Sequence, residues 1–111
     1  MLKKTLISLS LIAFSMYAID DTVGVREYKG NCKVCHGVAS RGASMLTKSE
    51  WDDMFANDMT KLKAKHSKDQ AAMDTLNSDR FIKDSKKLLE FLENNAVDSG
   101  NVRGCSGASC G

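Results

Sequence analysis

One short stretch of the chain carries residue types that can do chemistry together: Cys32-Lys33-Val34-Cys35-His36. The spacing Cys-x-x-Cys-His is typical of c-type haem attachment. Each thiol can form a thioether with one vinyl group of the porphyrin, and the adjacent imidazole can bind the iron from the proximal side. The axial ligands and the surroundings of the iron then set its reduction potential. The sequence therefore predicts one covalent haem c, held by Cys32 and Cys35 and ligated by His36.

Two other chemistries use the same pair of thiols. A bare Cys-x-x-Cys can be a redox dithiol or one half of a tetrahedral zinc site. A redox dithiol of the thioredoxin kind is expected near a βαβ pattern, which the sequence lacks. A four-ligand zinc site would need Cys105 and Cys110 to return to the first pair, although Cys105 follows Cys35 by 70 residues. Haem attachment is favoured, and a haem-free thiol–disulfide protein is the weaker alternative.

The ligand on the other side of the iron is left open by the sequence. His66 is the only histidine outside the motif, and Met73 lies 18 residues before the aromatic Phe91. Imidazole and thioether are both common axial ligands, and the thioether gives the higher potential. An open position would instead allow a small gas to bind. The candidates for the distal ligand are therefore His66 and Met73, with a haem-based gas binder or sensor as the alternative function.

The first 18 residues have the pattern of a secretory signal peptide. Lys3 and Lys4 precede an apolar run over residues 6–14, and small residues follow at Ser15 and Ala18. The run is shorter than the roughly 20 residues that span a bilayer. The pattern predicts export to the periplasm, with a membrane anchor only if the leader stays uncleaved.

Charge and composition exclude one class of partner. The two lysines of the leader account for the whole excess of basic residues, so the rest of the chain has 14 basic and 14 acidic side chains. A neutral chain has no electrostatic support for nucleic-acid binding. No acid–base pair, phosphate loop or activated nucleophile is recognisable, which predicts an electron carrier without a small-molecule substrate, not an enzyme.

Helical periodicity organises residues 19–97, the predicted haem domain. Thr47 and Glu50 have the spacing of a capping box. An apolar stripe at spacings of 4, 4, 3 and 4 then predicts one amphipathic helix; its members are Trp51, Phe55, Met59, Leu62 and His66.

Further helices are predicted on both sides of this one. Ser67 or Asp69 could cap a turn that runs to residue 76, and residues 77–79 break the chain before a last helix over residues 80–96. Residues 20–28 are a polar lead-in that could be helical. Residues 37–46 contain Gly37 and Gly42 among small residues and predict a loop.

The last 14 residues, 98–111, form a glycine-rich tail that contains Cys105 and Cys110. In an oxidising periplasm two cysteines five residues apart would most simply form a small disulfide loop. The sequence predicts this disulfide in a flexible tail.

The chain resembles the class I c-type cytochromes. The resemblance rests on the Cys32–His36 motif near the mature N-terminus and on Leu88-Leu89-Glu90-Phe91-Leu92 in the final helix, where that family has a leucine and an aromatic pair. It implies a small all-α domain wrapped around one covalent haem, with Met73 as the methionine ligand. The Ser-Glu-Trp helix and the Asp98-Ser99-Gly100 tail are also loosely similar to small exported haem proteins of Campylobacter-like bacteria.

These observations predict a periplasmic monohaem cytochrome that carries single electrons. Its expected partners are periplasmic redox proteins or a membrane respiratory complex. Tyr28, Trp51 and Phe91 are candidates for packing on the haem, with ordinary core roles as the alternative.

Overall fold

The computed structural model describes residues 23–101, and this part of the chain consists of helices without strands. The helices are α1 Val25–Asn31, α2 Lys33–His36, α3 Ala39–Ala43, α4 Lys48–His66, α5 Gln70–Leu76 and α6 Asp79–Asn94. The predicted all-α class is confirmed for these residues. The predicted signal peptide and the Cys105–Cys110 pair lie outside them. None of the helices within residues 23–101 combines the length and the apolar character that a bilayer crossing requires.

The predicted helix starts are confirmed by their caps. The Thr47 hydroxyl accepts from the Glu50 amide and the Thr47 amide donates to the Glu50 carboxylate, both at 3.2 Å, which completes the capping box of α4. Of the two candidates for the next cap it is Asp69, not Ser67, whose side chain caps α5. Ser78 caps α6 in the same way.

Helix α4 is broken, which the sequence did not predict. Ala56 is extended, and Asn57, Asp58 and Met59 have φ values of 52°, 55° and 60°. Left-handed backbone costs L-amino acids roughly 1–2 kcal/mol per residue. The prediction of one continuous apolar stripe is therefore wrong, because the left-handed turn divides the helix into two parts, and residues before and after the turn do not share one helical face. Residues 48–55 form one helical part, and residues 60–66 form a second part, called here the His66 arm.

Small residues in the predicted loop over residues 37–46 form a helix instead. Ala39 and Ala43 of α3 are fully buried. A Cβ atom on Gly42 would lie 2.0 Å from the Tyr28 hydroxyl oxygen, so only glycine allows this approach. The loop prediction is wrong for α3, because small side chains here serve close packing and not a flexible connection.

Helix α6 forms the centre of the core and α1 crosses it closely. The largest fully buried side chains are Tyr28, Phe81, Leu88 and Phe91. At the crossing Gly24 has φ +83°, and a Cβ atom there would lie 2.1 Å from the Lys87 carbonyl oxygen. The absent side chain lets α1 lie directly on α6, which places the end of α1 and the attachment motif beside that helix.

The three aromatic residues considered for haem packing have core roles. The rings of Tyr28 and Phe91 lie 5.9 Å apart and are tilted by 50°. Trp51 is buried, and its indole N–H donates to the Ala43 carbonyl at 2.9 Å. The alternative that the sequence left open, ordinary core packing, describes these contacts.

Candidate functional site

The attachment motif forms a single helical turn at the surface. The amides of Cys35 and His36 both donate to the Cys32 carbonyl, at 3.2 and 2.9 Å. This hydrogen bonding places Cys32 and His36, four residues apart, on one side of the turn. Both thiols are free; Cys32 is half-buried against the core and Cys35 is exposed. Val34 between them is 92% exposed, so the turn faces outward.

A buried tyrosine holds the chain directly after this turn. The Tyr28 hydroxyl donates to the Gly37 carbonyl at 2.9 Å, and the Val38 carbonyl lies 3.5 Å away. Burial, and secondly the negative charge of Cys32, raise the pKa of Tyr28 to about 12. The hydroxyl therefore stays protonated and can donate at any physiological pH.

A polar cluster from α6 holds the chain directly before the turn. The Asn31 amide group donates to the Glu27 carbonyl at 2.8 Å and to the Asp84 carboxylate at 3.1 Å. Asp84 also pairs with Arg80, at 3.6 Å between Nε and Oδ2. Sequence reasoning missed these residues, because α6 reads as an ordinary amphipathic helix and only the position of Asn31 beside Cys32 hinted at a role.

The imidazoles of His36 and His66 meet across the molecule. Their ring centroids are 5.8 Å apart and the ring planes are nearly perpendicular, at 83°. Two imidazoles that bind one metal from opposite sides have ring centres roughly 6 Å apart, since each metal–nitrogen bond is about 2 Å and each ring centre lies about 1 Å beyond its nitrogen. The fold thus brings the predicted proximal ligand and one of the two distal candidates to a separation that suits a shared iron.

The tautomer of His66 also suits ligation. Its Nδ1 lies 2.7 Å from the Leu62 carbonyl oxygen. A carbonyl can only accept, so Nδ1 carries the proton in this hydrogen bond and Nε2 of the neutral ring has a free lone pair. Metal-binding histidines are commonly oriented by such a bond from the other ring nitrogen.

Met73, the other distal candidate, is half-buried on α5 against the core. It belongs to a group of apolar side chains that the protein itself covers only in part: Met54, Phe55, Met59, Leu62, Met73 and Leu89. Partly covered apolar side chains of this kind can line the site of an apolar cofactor. Met73 therefore packs against the core, while the imidazole of His66 lies beside the imidazole of His36.

These donors fit a porphyrin iron better than a bare metal ion. Within residues 23–101, no three His, Cys, Asp or Glu side chains come together as a ligand set. A porphyrin supplies four nitrogen ligands itself, so two imidazoles complete its iron. The thiols in the turn that carries His36 could then form the two thioethers.

The electrostatics of Cys32 are unfavourable for a redox dithiol. Burial, and secondly the negative charge of Cys35, raise the pKa of Cys32 to about 12. Dithiol exchange needs a thiolate, and catalytic Cys-x-x-Cys pairs lower the pKa of one thiol for this purpose. The environment of Cys32 instead raises the pKa of this thiol.

Comparison with known proteins does not identify relatives. No protein-family model, no curated protein and no solved structure matches the chain.

Proposed function

We propose that the protein is a monohaem c-type cytochrome that carries single electrons in the periplasm. The observation that carries this proposal is the 5.8 Å separation of the His36 and His66 rings, with His36 in the same helical turn as two free thiols. The Cys32–His36 motif alone, or the pair of imidazole rings alone, could be explained without a haem. Together they supply the attachment points and both axial ligands of one iron.

Each residue has a definite part in this proposal. Cys32 and Cys35 hold the porphyrin, and His36 and His66 bind from its two sides. The Leu62 carbonyl keeps the proton of His66 on Nδ1 and so presents Nε2. In this proposal the porphyrin packs against the half-buried apolar side chains. When bound, the haem supplies reversible one-electron oxidation and reduction, and the fixed ligands limit the rearrangement that accompanies it.

The cellular context follows from the leader. The signal-peptide pattern of residues 1–18 supports export, and covalent haem suits a periplasmic carrier. The partners are then periplasmic redox proteins or a membrane respiratory complex. The outward-facing attachment turn, with Val34 at its exposed tip, offers a short path for electrons.

The test is haem staining after denaturing electrophoresis of protein from a host that matures c-type cytochromes. Only covalent haem survives denaturation, so we expect staining of the wild type and loss of staining in C32A/C35A. Optical spectra of the oxidised and reduced protein should then show a low-spin iron without the weak band at about 695 nm that accompanies methionine ligation. An unstained wild-type chain would refute the proposal and favour the haem-free dithiol protein.

One observation favours a second candidate, a haem protein that binds small gases. The only buried residue of α4 is Trp51, so the His66 arm has no buried residue, and it begins at the left-handed turn. A weakly held distal histidine could yield its position to a gas. Rapid, complete uptake of carbon monoxide by the reduced wild type would favour this candidate, whereas resistance to carbon monoxide would favour simple electron transfer.

A further inference from the structure

The attachment turn lies at the surface of the molecule. No residue of α2 is buried. Cys32 packs partly against the core, but the residues that follow it, up to and including His36, do not. The chain is fixed at both ends of the turn, and this fixes the position of the backbone that carries the His36 imidazole. The Tyr28 hydroxyl fixes the far end at Gly37.

The near end is fixed by side chains of α6. The Asn31 amide has two hydrogens, and it uses one on the Glu27 carbonyl of its own helix and one on the Asp84 carboxylate. Asn31 directly precedes Cys32, so this amide links the first residue of the motif to α6. The side chain of Asp84 is only 19% exposed, and a hydrogen bond to a carboxylate in such a place is stronger than one in water.

Arg80 completes the cluster. Its Nε lies 3.6 Å from Asp84 Oδ2, which compensates the partly buried charge. Its Nη2 lies against Gly30, where a Cβ atom would come within 2.1 Å. A guanidinium can approach the backbone this closely only because residue 30 lacks a side chain. Two successive residues before Cys32, Gly30 and Asn31, are thus in contact with one ion pair of α6.

We propose that Asp84 is a positioning residue of the haem site: through Asn31 and Arg80 it holds the chain before Cys32, so that the His36 imidazole stays opposite His66. The inference rests on the proposed function for its haem-related outcome. Asp84 does not touch the iron or the thiols, and it acts through the backbone of the attachment turn.

The test compares D84N with D53N in the haem-loaded full chain. Asp53 pairs with Lys61 at the same 3.6 Å, but both side chains are about two-thirds exposed, which makes it a matched control. In D84N we expect the amides of Cys35, His36 and Gly37 to exchange about tenfold faster, since the hydrogen bond from Asn31 then ends on a neutral acceptor and is weaker. The amides of α4 should stay within twofold of the wild type, and D53N should leave the attachment turn unchanged.

A spectroscopic readout separates positioning from a purely structural role. The paramagnetic shifts of the haem methyl groups report the orientation of the axial imidazoles, so D84N should shift them and D53N should not. The exchanged pair N31D/D84N again places a donor opposite an acceptor across the helices, but its carboxylate cannot donate to the Glu27 carbonyl, so it should recover only part of the lost protection. If D84N does not fold, N31A removes the bridging amide while leaving the Asp84–Arg80 pair, and the same local effect is expected.

Two results would overturn the inference. One is attachment-turn amides within twofold of the wild type together with unchanged methyl shifts. The other is a uniform rise in exchange along α1 and α6, which would mean only a general loss of stability. A wild-type chain that takes up no haem would refute the proposed function instead, and the exchange comparison would then be made on the haem-free chain.

Discussion

At the scale of single residues, the position of one proton distinguishes His66 from an ordinary surface histidine. A histidine near the end of a helix usually interacts with the helix dipole and solvent. The hydrogen bond from Nδ1 to the Leu62 carbonyl and the nearby ring of His36 give His66 a different environment. Its free Nε2 is the atom that a distal ligand needs.

Replacing this histidine should change the reduction potential. In H66M a thioether would replace the distal imidazole, and we expect the midpoint potential to rise by on the order of 0.1 V, within the roughly 0.8 V that ligands and surroundings span in haem proteins. Potentiometric titration followed by optical spectra measures the change. M73L is the control and should keep the low-spin spectrum of the wild type. If M73L instead gave a high-spin iron and H66M left the spectrum unchanged, Met73 would be the distal ligand.

A second residue-scale feature is a carboxyl group that binds its proton unusually tightly. Burial, then a hydrogen bond to Asp52 and the charge of Asp52, raise the pKa of Glu93 from 4.5 to about 7, against the opposing effect of Lys48. Between these two pH values the folded chain holds more protons than the unfolded chain. The contribution of Glu93 to the free energy of unfolding should therefore be fully present below about pH 4.5 and be lost as the pH rises through about 7.

The substitution E93Q should flatten this dependence. Glutamine keeps the shape and cannot ionise, so urea unfolding at a series of pH values should show a smaller slope in this window. The matched control is E90Q, an exposed glutamate on the same helix, which should keep the wild-type slope. If E93Q left the pH dependence of the free energy of unfolding unchanged, the carboxyl groups of Glu93 on α6 and Asp52 on α4 would not share a proton.

At the scale of helices, the attachment motif depends on the crossing of α1 and α6. The motif follows α1 directly, and α1 lies against α6 at Gly24. The other ligand is carried by the second part of α4, beyond a left-handed turn. The relative position of the two imidazoles is thus decided by one close helix crossing and one irregular turn.

The crossing can be tested by adding a single methyl group. In G24A the new Cβ atom would lie 2.1 Å from the Lys87 carbonyl oxygen, at a backbone angle that disfavours alanine. Overpacking and the positive φ together should lower the free energy of unfolding by at least about 2 kcal/mol. The control is G100A, which has a similar φ of +80° but no atom within 4 Å of the new Cβ. It should lose about 1 kcal/mol or less in urea unfolding, and equal losses in the two variants would argue against the close crossing.

At the scale of the whole molecule, the described helices enclose a small core. Its fully buried side chains lie around α6, while several apolar side chains of α4 and α5 are covered only in part. Small domains bury a low fraction of their surface and often need a cofactor or cross-link for stability. The haem proposed here would cover these side chains and link α2 to the His66 arm.

The chain without haem should consequently be loosely folded. Production in the cytoplasm, without residues 1–18, gives the chain without haem, because haem is not attached there. For this form we expect a weaker helical circular dichroism signal than for the haem-loaded form and a broad urea transition. The haem-loaded form of the same chain is the comparison and should unfold in one sharp transition at higher urea. Identical transitions for the two forms would show that the helices do not depend on the cofactor.

The sequence alone determined the features that involve only a few neighbouring residues. The Cys32–His36 motif, the all-α class and the caps at Thr47 and Ser78 are local, because a capping bond or an attachment turn forms between residues three or four positions apart. The periodicity of apolar residues likewise located α4 and α6. It did not locate the break at residues 56–59, because a left-handed turn does not change the spacing of apolar residues along the sequence.

The tertiary structure decided which residues meet. His36 and His66 are separated by 30 positions and Asn31 and Asp84 by 53. Whether such residues come together depends on the close contact of α1 with α6 at Gly24 and on the turn within α4. Composition and the spacing of residues do not give the distance between two helices or the direction of the chain after a turn. The preference for His66 over Met73, and the link from α6 to the attachment turn, therefore come from the path of the chain in space.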